Sequence, residues 1–72
     1  MTNTNLLKSK LVAAGYENFV ADLAIILDIS RSTASEKLNG KKPFTQPEIT
    51  KISNACHLSA TEVIEIFMLG AE

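Results

Sequence analysis

The stretch LAIILDISRSTASEKLNG, residues 23–40, decides the fold of this chain. Its pattern predicts two short helices joined by a tight turn. Asp28 falls where the backbone must reverse, and aspartate adopts the left-handed conformation more readily than most residues other than glycine. Ser30 is typical of an N-cap, because its hydroxyl accepts a free backbone N–H of the following turn. Gly40 predicts the end of the second helix.

Each of the two predicted helices has one apolar side and one side that faces water. The second helix, residues 31–39, carries mostly short polar and basic side chains on its outer side. Two short helices that meet at a steep angle in this way form the helix-turn-helix arrangement, which we place at residues 19–39. The positions that we expect to face the core are Leu23, Ala24, Leu27, Ile29, Ala34 and Leu38.

The remainder of the chain also favours helices. Thr45 with Glu48, and Ser59 with Glu62, have the spacing of capping boxes. Asn18 is placed to cap the helix that follows it. No pattern typical of a β-hairpin is present. We therefore expect one all-α domain over residues 1–72, with frayed ends at residues 1–5 and 70–72. The five predicted helices span residues 5–14, 19–27, 31–39, 46–56 and 60–68.

Length and composition limit the possible classes of protein. A chain of 72 residues is enough for one domain, and such a domain buries only about 60% of the surface that its unfolded chain exposes. A hydrophobic content of 46% is too high for a disordered segment. A single cysteine, Cys56, cannot form an internal disulfide, which favours a reducing cytoplasm. We expect neither a signal peptide nor a membrane span.

The charge balance is unusual for a module that binds nucleic acid. The formal net charge is −1, whereas neutralisation of phosphates supplies much of the affinity of DNA-binding proteins. Positive charge is clustered on the second helix of the motif and the loop after it, at Arg31, Lys37, Lys41 and Lys42. These residues have two interpretations: a solubilising surface, or phosphate contacts beside a recognition helix.

Residues 23–40 resemble the Cro/repressor-type helix-turn-helix family of phages and bacteria. The resemblance implies a lambda-repressor-like domain of five helices. The length of the chain and the run Ile66-Phe67-Met68 resemble small regulators that temperate phages encode beside a repressor, known as modulators of repression or antirepressors. Such a protein would act in the cytoplasm of a bacterial host. The matching residues are Leu23, Ala24, Leu27, Ile29, Ser30, Arg31, Ser32, Thr33, Ser35 and Gly40.

One function implied by this resemblance is direct binding of double-stranded operator DNA. The second helix of the motif would lie in the major groove, where Arg31 donates hydrogen bonds to guanine O6 and N7. Glu36 is unfavourable on such a surface, because its carboxylate repels phosphate. The residues that would contact DNA are Arg31, Ser32, Thr33, Ser35, Lys37, Lys41 and Lys42.

The second function is binding to the DNA-binding domain of a partner repressor. DNA-binding members of the family often have a glutamine where this chain has Val20, and charged residues where it has Ile25 and Ile26. On a helical wheel, Phe19 and Ile26 fall together on a flank away from the core stripe and Ile25 lies further round, so the helix is apolar over more than one face. We expect an interface with an apolar part at Phe19, Val20, Ile25 and Ile26 and a polar rim at Arg31, Thr33 and Lys37.

Three alternatives to this interface remain open. Phe19 or Ile26 packs inside the domain, or the same surface joins two copies of the chain, or the protein is a Cro-like repressor that binds its operator directly. If the protein acts on a partner repressor, we expect it to bind operator DNA only weakly or together with that repressor.

We expect no catalysis, no metal and no cofactor. Cys56 and His57 are adjacent in sequence and therefore point in different directions on a helix. With one cysteine and one histidine, the chain cannot supply a zinc site by itself.

Overall fold

A computed structural model describes residues 2–68, and in that range the chain is entirely helical, with no strand. This confirms the all-α prediction, and the first four predicted helices are present to within one or two residues at each end. The fifth, predicted over residues 60–68, is α-helical only as far as Val63. The helices are α1 Thr4–Ala13, α2 Phe19–Leu27, α3 Arg31–Leu38, α4 Gln46–Cys56 and α5 Ala60–Val63, and α5 continues as a π-helical turn, Ile64–Met68.

Side chains cap the starts of three helices as predicted. The backbone N–H of Thr45 donates to Oε1 of Glu48 at 2.9 Å, while the Thr45 hydroxyl accepts the N–H of Glu48. Ser59 and Glu62 form the same reciprocal pair, with a first bond of 2.8 Å. The hydroxyl of Ser30 accepts a backbone N–H at the start of α3. Because these bonds satisfy amides that a helix leaves free, they fix where α3, α4 and α5 begin.

The turn between α2 and α3 is a Schellman motif centred on Asp28. Its backbone is left-handed, with φ 56° and ψ 50°. The N–H of Asp28 donates to the carbonyl of Ile25 at 3.3 Å, and the N–H of Ile29 donates to the carbonyl of Ala24 at 3.0 Å. These two bonds satisfy carbonyls at the end of α2 and direct the chain into α3.

The helices pack around one apolar core to which α1 to α4 and the π-helical turn all contribute. Phe44, in the loop before α4, is half-buried and packs edge-to-face against Phe67, with ring centroids 5.5 Å apart. This contact anchors the loop, as an aromatic residue in the loop predicts. The buried apolar residues are Leu7, Leu11, Leu23, Ala24, Leu27, Ala34, Leu38, Ile52 and Ile66.

The described part of the N-terminal segment forms hydrogen bonds to distant parts of the chain, and the fraying expected over residues 1–5 stays a prediction. Asn3 caps α1, and its backbone N–H donates to the carbonyl of Ile66 at 2.7 Å. The hydroxyl of Thr4 donates to the carbonyl of Leu38 at 3.0 Å. Both acceptors are distant in sequence, and local composition therefore did not indicate them. Met1 and residues 69–72 lie outside the described residues.

Among the helices of the described range, none is both long enough and apolar enough to cross a bilayer.

Candidate interaction surface on α2 and α3

Ile25 lies in the last turn of α2 but contributes little to the core. Its side chain is 78% exposed, more than that of any other large apolar residue in the range 2–68. Leu23 and Leu27 occupy the buried side of the same helix, and the helical period turns Ile25 away from them. An exposed isoleucine at this position is not explained by the stability of the isolated domain.

The other apolar residues predicted for the interface are not fully exposed. Phe19, Val20 and Ile26 are half-buried and pack against the core. The expectation that Phe19 and Ile26 lie away from the core is therefore wrong, because neighbouring elements pack against this side of α2. The ammonium group of Lys8 on α1, for example, lies 5.6 Å from the centre of the Phe19 ring.

An open groove of about 550 Å³ separates the start of α2 from the end of α3. Its apolar part comes from Phe19 and Val20 of α2 and from Leu38 of α3. Polar side chains from α1 and from the segments that flank these helices surround it. The groove therefore leaves the outer edges of Phe19 and Val20 accessible. Its lining residues are Lys8, Glu17, Asn18, Phe19, Val20, Leu38 and Asn39.

The charged residues between positions 11 and 30, a range that includes α2, are all acidic. Residues 11–30 contain Glu17, Asp22 and Asp28 and no lysine or arginine. None of these three carboxylates forms an ion pair with another residue in the described range. The prediction that the Asn18 side chain caps α2 is wrong, because this side chain forms no hydrogen bond to the start of the helix. Instead the Asn18 backbone N–H donates to Oδ2 of Asp22 at 3.2 Å, so a negative charge lies at the helix N-terminus.

The outer face of α3 is small and polar. Arg31 and Ser32 are exposed, and Ser35 is partly exposed one turn further along. The structure therefore brings these three predicted residues together on one side of the helix. The Thr33 hydroxyl is less available, because its Oγ1 accepts a hydrogen bond from the Ser30 hydroxyl at 3.0 Å.

Lys37 does not lie on this outer face. Its residue is 8% exposed, and its Nζ donates to Oε1 of Glu48 and to the carbonyl of Pro43, each at 2.9 Å. The expectation that Lys37 contributes to a polar rim or contacts phosphate is thus corrected: its acceptors come from the following loop and from α4. Burial raises the pKa of Glu48, but the hydrogen bonds from Lys37 and Thr45 outweigh this and hold the pKa below its usual value.

The other predicted cations divide into paired and unpaired ones. Nζ of Lys42 lies 3.1 Å from Oε1 of Glu36, so the loop lysine neutralises the acid on the outer face of α3. Arg31 and Lys41 are exposed and form no ion pair within residues 2–68. Of the four cations that the sequence places beside α3, only Arg31 and Lys41 are therefore available, within the described residues, to contact a phosphate backbone.

A family model for the BetR domain matches residues 5–68, a range that includes α2 and α3 completely. The chain belongs to the BetR domain family. Searches among curated proteins and solved structures give no significant match to this BetR domain. Its function is therefore inferred from its sequence and from the geometry of α2 and α3.

The remaining reactive side chains of the BetR domain do not converge on one site. Within the described residues, no three histidine, cysteine, aspartate or glutamate side chains are grouped to hold a metal ion. Cys56 is half-buried at the end of α4, and burial raises the pKa of its thiol. His57 follows in a left-handed conformation and is exposed. These two residues end α4.

Proposed function

We propose that this BetR domain is a transcriptional regulator of a phage-type switch between lysogeny and lysis. It acts mainly by binding the DNA-binding domain of a partner repressor in the cytoplasm of a bacterial host, and so blocks or alters the binding of that repressor to its operator. In this proposal α2 and α3 form a lambda-repressor-like helix-turn-helix. The Schellman turn at Asp28 and the polar outer face of α3 support that assignment.

The observation that carries the proposal is that two of the cations beside α3 are paired with carboxylates of the same domain. Lys37 is buried against Glu48, and Lys42 is paired with Glu36. Protein–DNA affinity depends strongly on the number of phosphates that lysine and arginine neutralise. Two unpaired cations next to α3, in a chain of net charge −1, are few for a protein that finds an operator by itself.

The start of α2 also disfavours a phosphate contact. Val20 occupies the position where the resemblance implies a hydrogen-bonding glutamine, and its side chain cannot donate to a phosphate oxygen. The carboxylate of Asp22 accepts the N–H of Asn18 at the same helix end. A phosphate placed there would lie close to this negative charge, which disfavours its binding.

Ile25 favours a protein as the partner. Burial of an exposed isoleucine contributes about 1.5–3 kcal/mol, which is enough for one residue to act as an anchor of an interface. This free energy is gained only when the side chain leaves water for an apolar surface, which DNA phosphates do not offer. The exposed edges of Phe19 and Val20 at the groove add apolar area close to the same helix.

The alternative function is that of a Cro-like repressor that binds its operator directly. One observation favours it: Arg31, Ser32 and Ser35 share the outer side of α3, as base-contacting residues of a recognition helix do. In that function Lys41 contacts the DNA backbone and the repressor is not needed.

A gel-shift titration separates the two functions. Labelled switch-region DNA is mixed with the BetR domain alone, with the repressor alone, and with both. The proposal predicts little shift with the domain alone and a change in the repressor–DNA complex when both are present. A tight shift with the domain alone, and no effect on the repressor, supports the Cro-like alternative instead.

A further inference from the structure

A cavity of about 250 Å³ lies between the α3–α4 loop, the start of α4 and the π-helical turn. Phe44 of the loop, Ile49 of α4 and Phe67 of the turn give it an apolar lining. Within the range 2–68 it shares no lining residue with the groove beside α2, so the two are separate sites. A cavity of roughly 150 Å³ can already hold benzene, and this one has room for an aromatic ring with a short side chain.

The lining of this cavity is partly fixed by the core and partly left uncovered. The rings of Phe44 and Phe67 pack against the core and meet edge to face, with centroids 5.5 Å apart. Ile49 is half-buried, yet it is not among the described apolar residues that pack against the core. Gly40 also lines the cavity, and a Cβ atom added to it would have no described neighbour within 4 Å. The apolar walls are therefore held in place without filling the space between them.

A cation borders this apolar lining. Lys42 contributes to the cavity, and its Nζ lies 3.1 Å from Oε1 of Glu36 on α3. Both side chains of this pair are partly exposed, and ion pairs that water reaches contribute little to stability. A carboxylate brought in by a ligand can therefore take the place of Glu36. Lys41 adds an exposed positive charge beside Lys42 and forms no ion pair within residues 2–68.

We propose that this cavity binds a small aromatic carboxylate. The ring lies between Phe44, Ile49 and Phe67, where it gains edge-to-face contacts with the two phenylalanines. The carboxylate pairs with the ammonium group of Lys42. An apolar cavity with a few polar groups at fixed positions is the usual form of a small-molecule site. Because the ligand takes Lys42 from Glu36, binding also changes the charge that α3 presents. This site is independent of the function proposed above.

Titration of the isotope-labelled full chain with 3-phenylpropionate, followed by chemical shifts, tests this site. Saturable shifts are expected at Phe44, Ile49 and Phe67. A dissociation constant of about 1 mM or lower is expected, since it needs only a modest contribution from each heavy atom. The side-chain carboxyl resonance of Glu36 should move as well, because its partner leaves. The neutral alcohol 3-phenylpropanol has the same ring and chain length without the charge, and should bind about threefold more weakly.

Three variants locate the two parts of the ligand. Lys42→Met removes the cation, so it should weaken the carboxylate about threefold and leave the alcohol unchanged. Ile49→Trp fills the cavity and should abolish binding of both compounds. Lys51→Met removes an exposed cation of α4 that does not line the cavity, and should bind both like the wild type. Thermal unfolding shows whether each variant folds, and Ile49→Phe is the smaller filling substitution if Ile49→Trp does not.

The results that would overturn this site differ from one another. If the wild type shows no saturable shifts at the apolar lining, the cavity takes no such ligand. Equal affinities for the carboxylate and the alcohol, or an unchanged affinity in folded Lys42→Met, would mean that it does not select an anion. If nuclear Overhauser contacts join Leu69 to the Phe44 ring in the ligand-free protein, the chain's own residues occupy the cavity instead.

Discussion

Nζ of Lys37 on α3 lies 2.9 Å from Oε1 of Glu48 on α4, and the same carboxylate accepts the N–H of Thr45. One glutamate thus caps α4 and holds a lysine that is almost completely buried. The lysine also donates to the carbonyl of Pro43, so it fastens the loop between the two helices. This arrangement removes a cation from the surface and uses it to fix α4 against α3.

Replacing the lysine should destabilise the fold. Lys37→Met keeps most of the length of the side chain but removes the ammonium group that donates to the Glu48 carboxylate and the Pro43 carbonyl, at a cost of about 1.5–3 kcal/mol. Urea unfolding measures this free energy. Lys51→Met is the matched control, because Lys51 is exposed on α4 and should change stability by less than about 0.5 kcal/mol. Equal stabilities for the two variants would contradict the role assigned to Lys37.

Stability should fall in acid. The pKa of Glu48 lies below the usual 4.5, because hydrogen bonds from Lys37 and Thr45 outweigh the effect of burial. The pKa of Glu62 is also lowered, by the hydrogen bonds from Lys10 and from the Ser59 amide. A carboxyl group whose folded pKa is depressed stabilises the protein above its unfolded pKa, and this contribution is lost as the pH falls through the folded value.

The free energy of unfolding should therefore be steady at neutral pH and decrease as the pH falls below about 4.5. Urea unfolding at a series of pH values measures it. Lys37→Met should show a smaller decrease, because the pKa of Glu48 is closer to its usual value without the lysine. A wild-type protein whose stability is unchanged or rises in this range would contradict the assignment.

Neighbouring isoleucines on α2 should respond differently to a charge. Ile26 is half-buried against the core, so Ile26→Asp should lower the free energy of unfolding by more than about 1 kcal/mol. Ile25 is exposed, and Ile25→Asp should stay within about 0.5 kcal/mol of the wild type. Thermal unfolding of the two variants makes the comparison. A stable Ile26→Asp together with an unfolded Ile25→Asp would mean that α2 turns the opposite side toward the core.

Glycine at the end of α4 should stabilise the domain. His57 has a left-handed backbone, with φ 54°, and the next N–H, of Leu58, donates to the carbonyl of Ser53 at 2.9 Å. His57→Gly relieves strain of about 1–2 kcal/mol but makes the unfolded chain more flexible, so a net gain of up to about 1 kcal/mol is expected. Calorimetric melting measures it. His57→Ala retains the strain and should show no gain, and equal melting temperatures for the two variants would contradict this interpretation.

DNA binding by the protein alone should be weak and only slightly dependent on salt. If Arg31 and Lys41 are the cations that reach phosphates, the slope of log K against log salt is about −2, since each contact adds about 0.9. Fluorescence anisotropy with a labelled duplex measures this slope. Lys41→Ala should reduce its magnitude by about one contact. A slope of about −4 would mean that Lys37 and Lys42 leave their partners to bind DNA.

Much of the fold could be predicted because the signals are local. Thr45 and Ser59 mark helix starts because a glutamate follows each of them three residues later, and Ser30 is a typical N-cap residue. Asp28 marks the turn. The position of Lys37 could not be predicted, because a lysine on a helix is normally exposed and its acceptors are found only once α4 has packed. The burial of Ile26 could not be predicted for a similar reason: the helical period gives a direction, but contacts from other elements decide how much of a flank is covered.

Whether α2 binds a repressor rather than DNA is tested most directly by amide chemical-shift mapping. Isotope-labelled protein is titrated with the repressor's DNA-binding domain and, separately, with operator duplex. We expect large shifts at Asp22, Ile25 and Asp28 with the repressor domain and small shifts with DNA. Large shifts on DNA addition at Arg31, Ser32 and Ser35, with none on addition of the repressor domain, would contradict the proposed function.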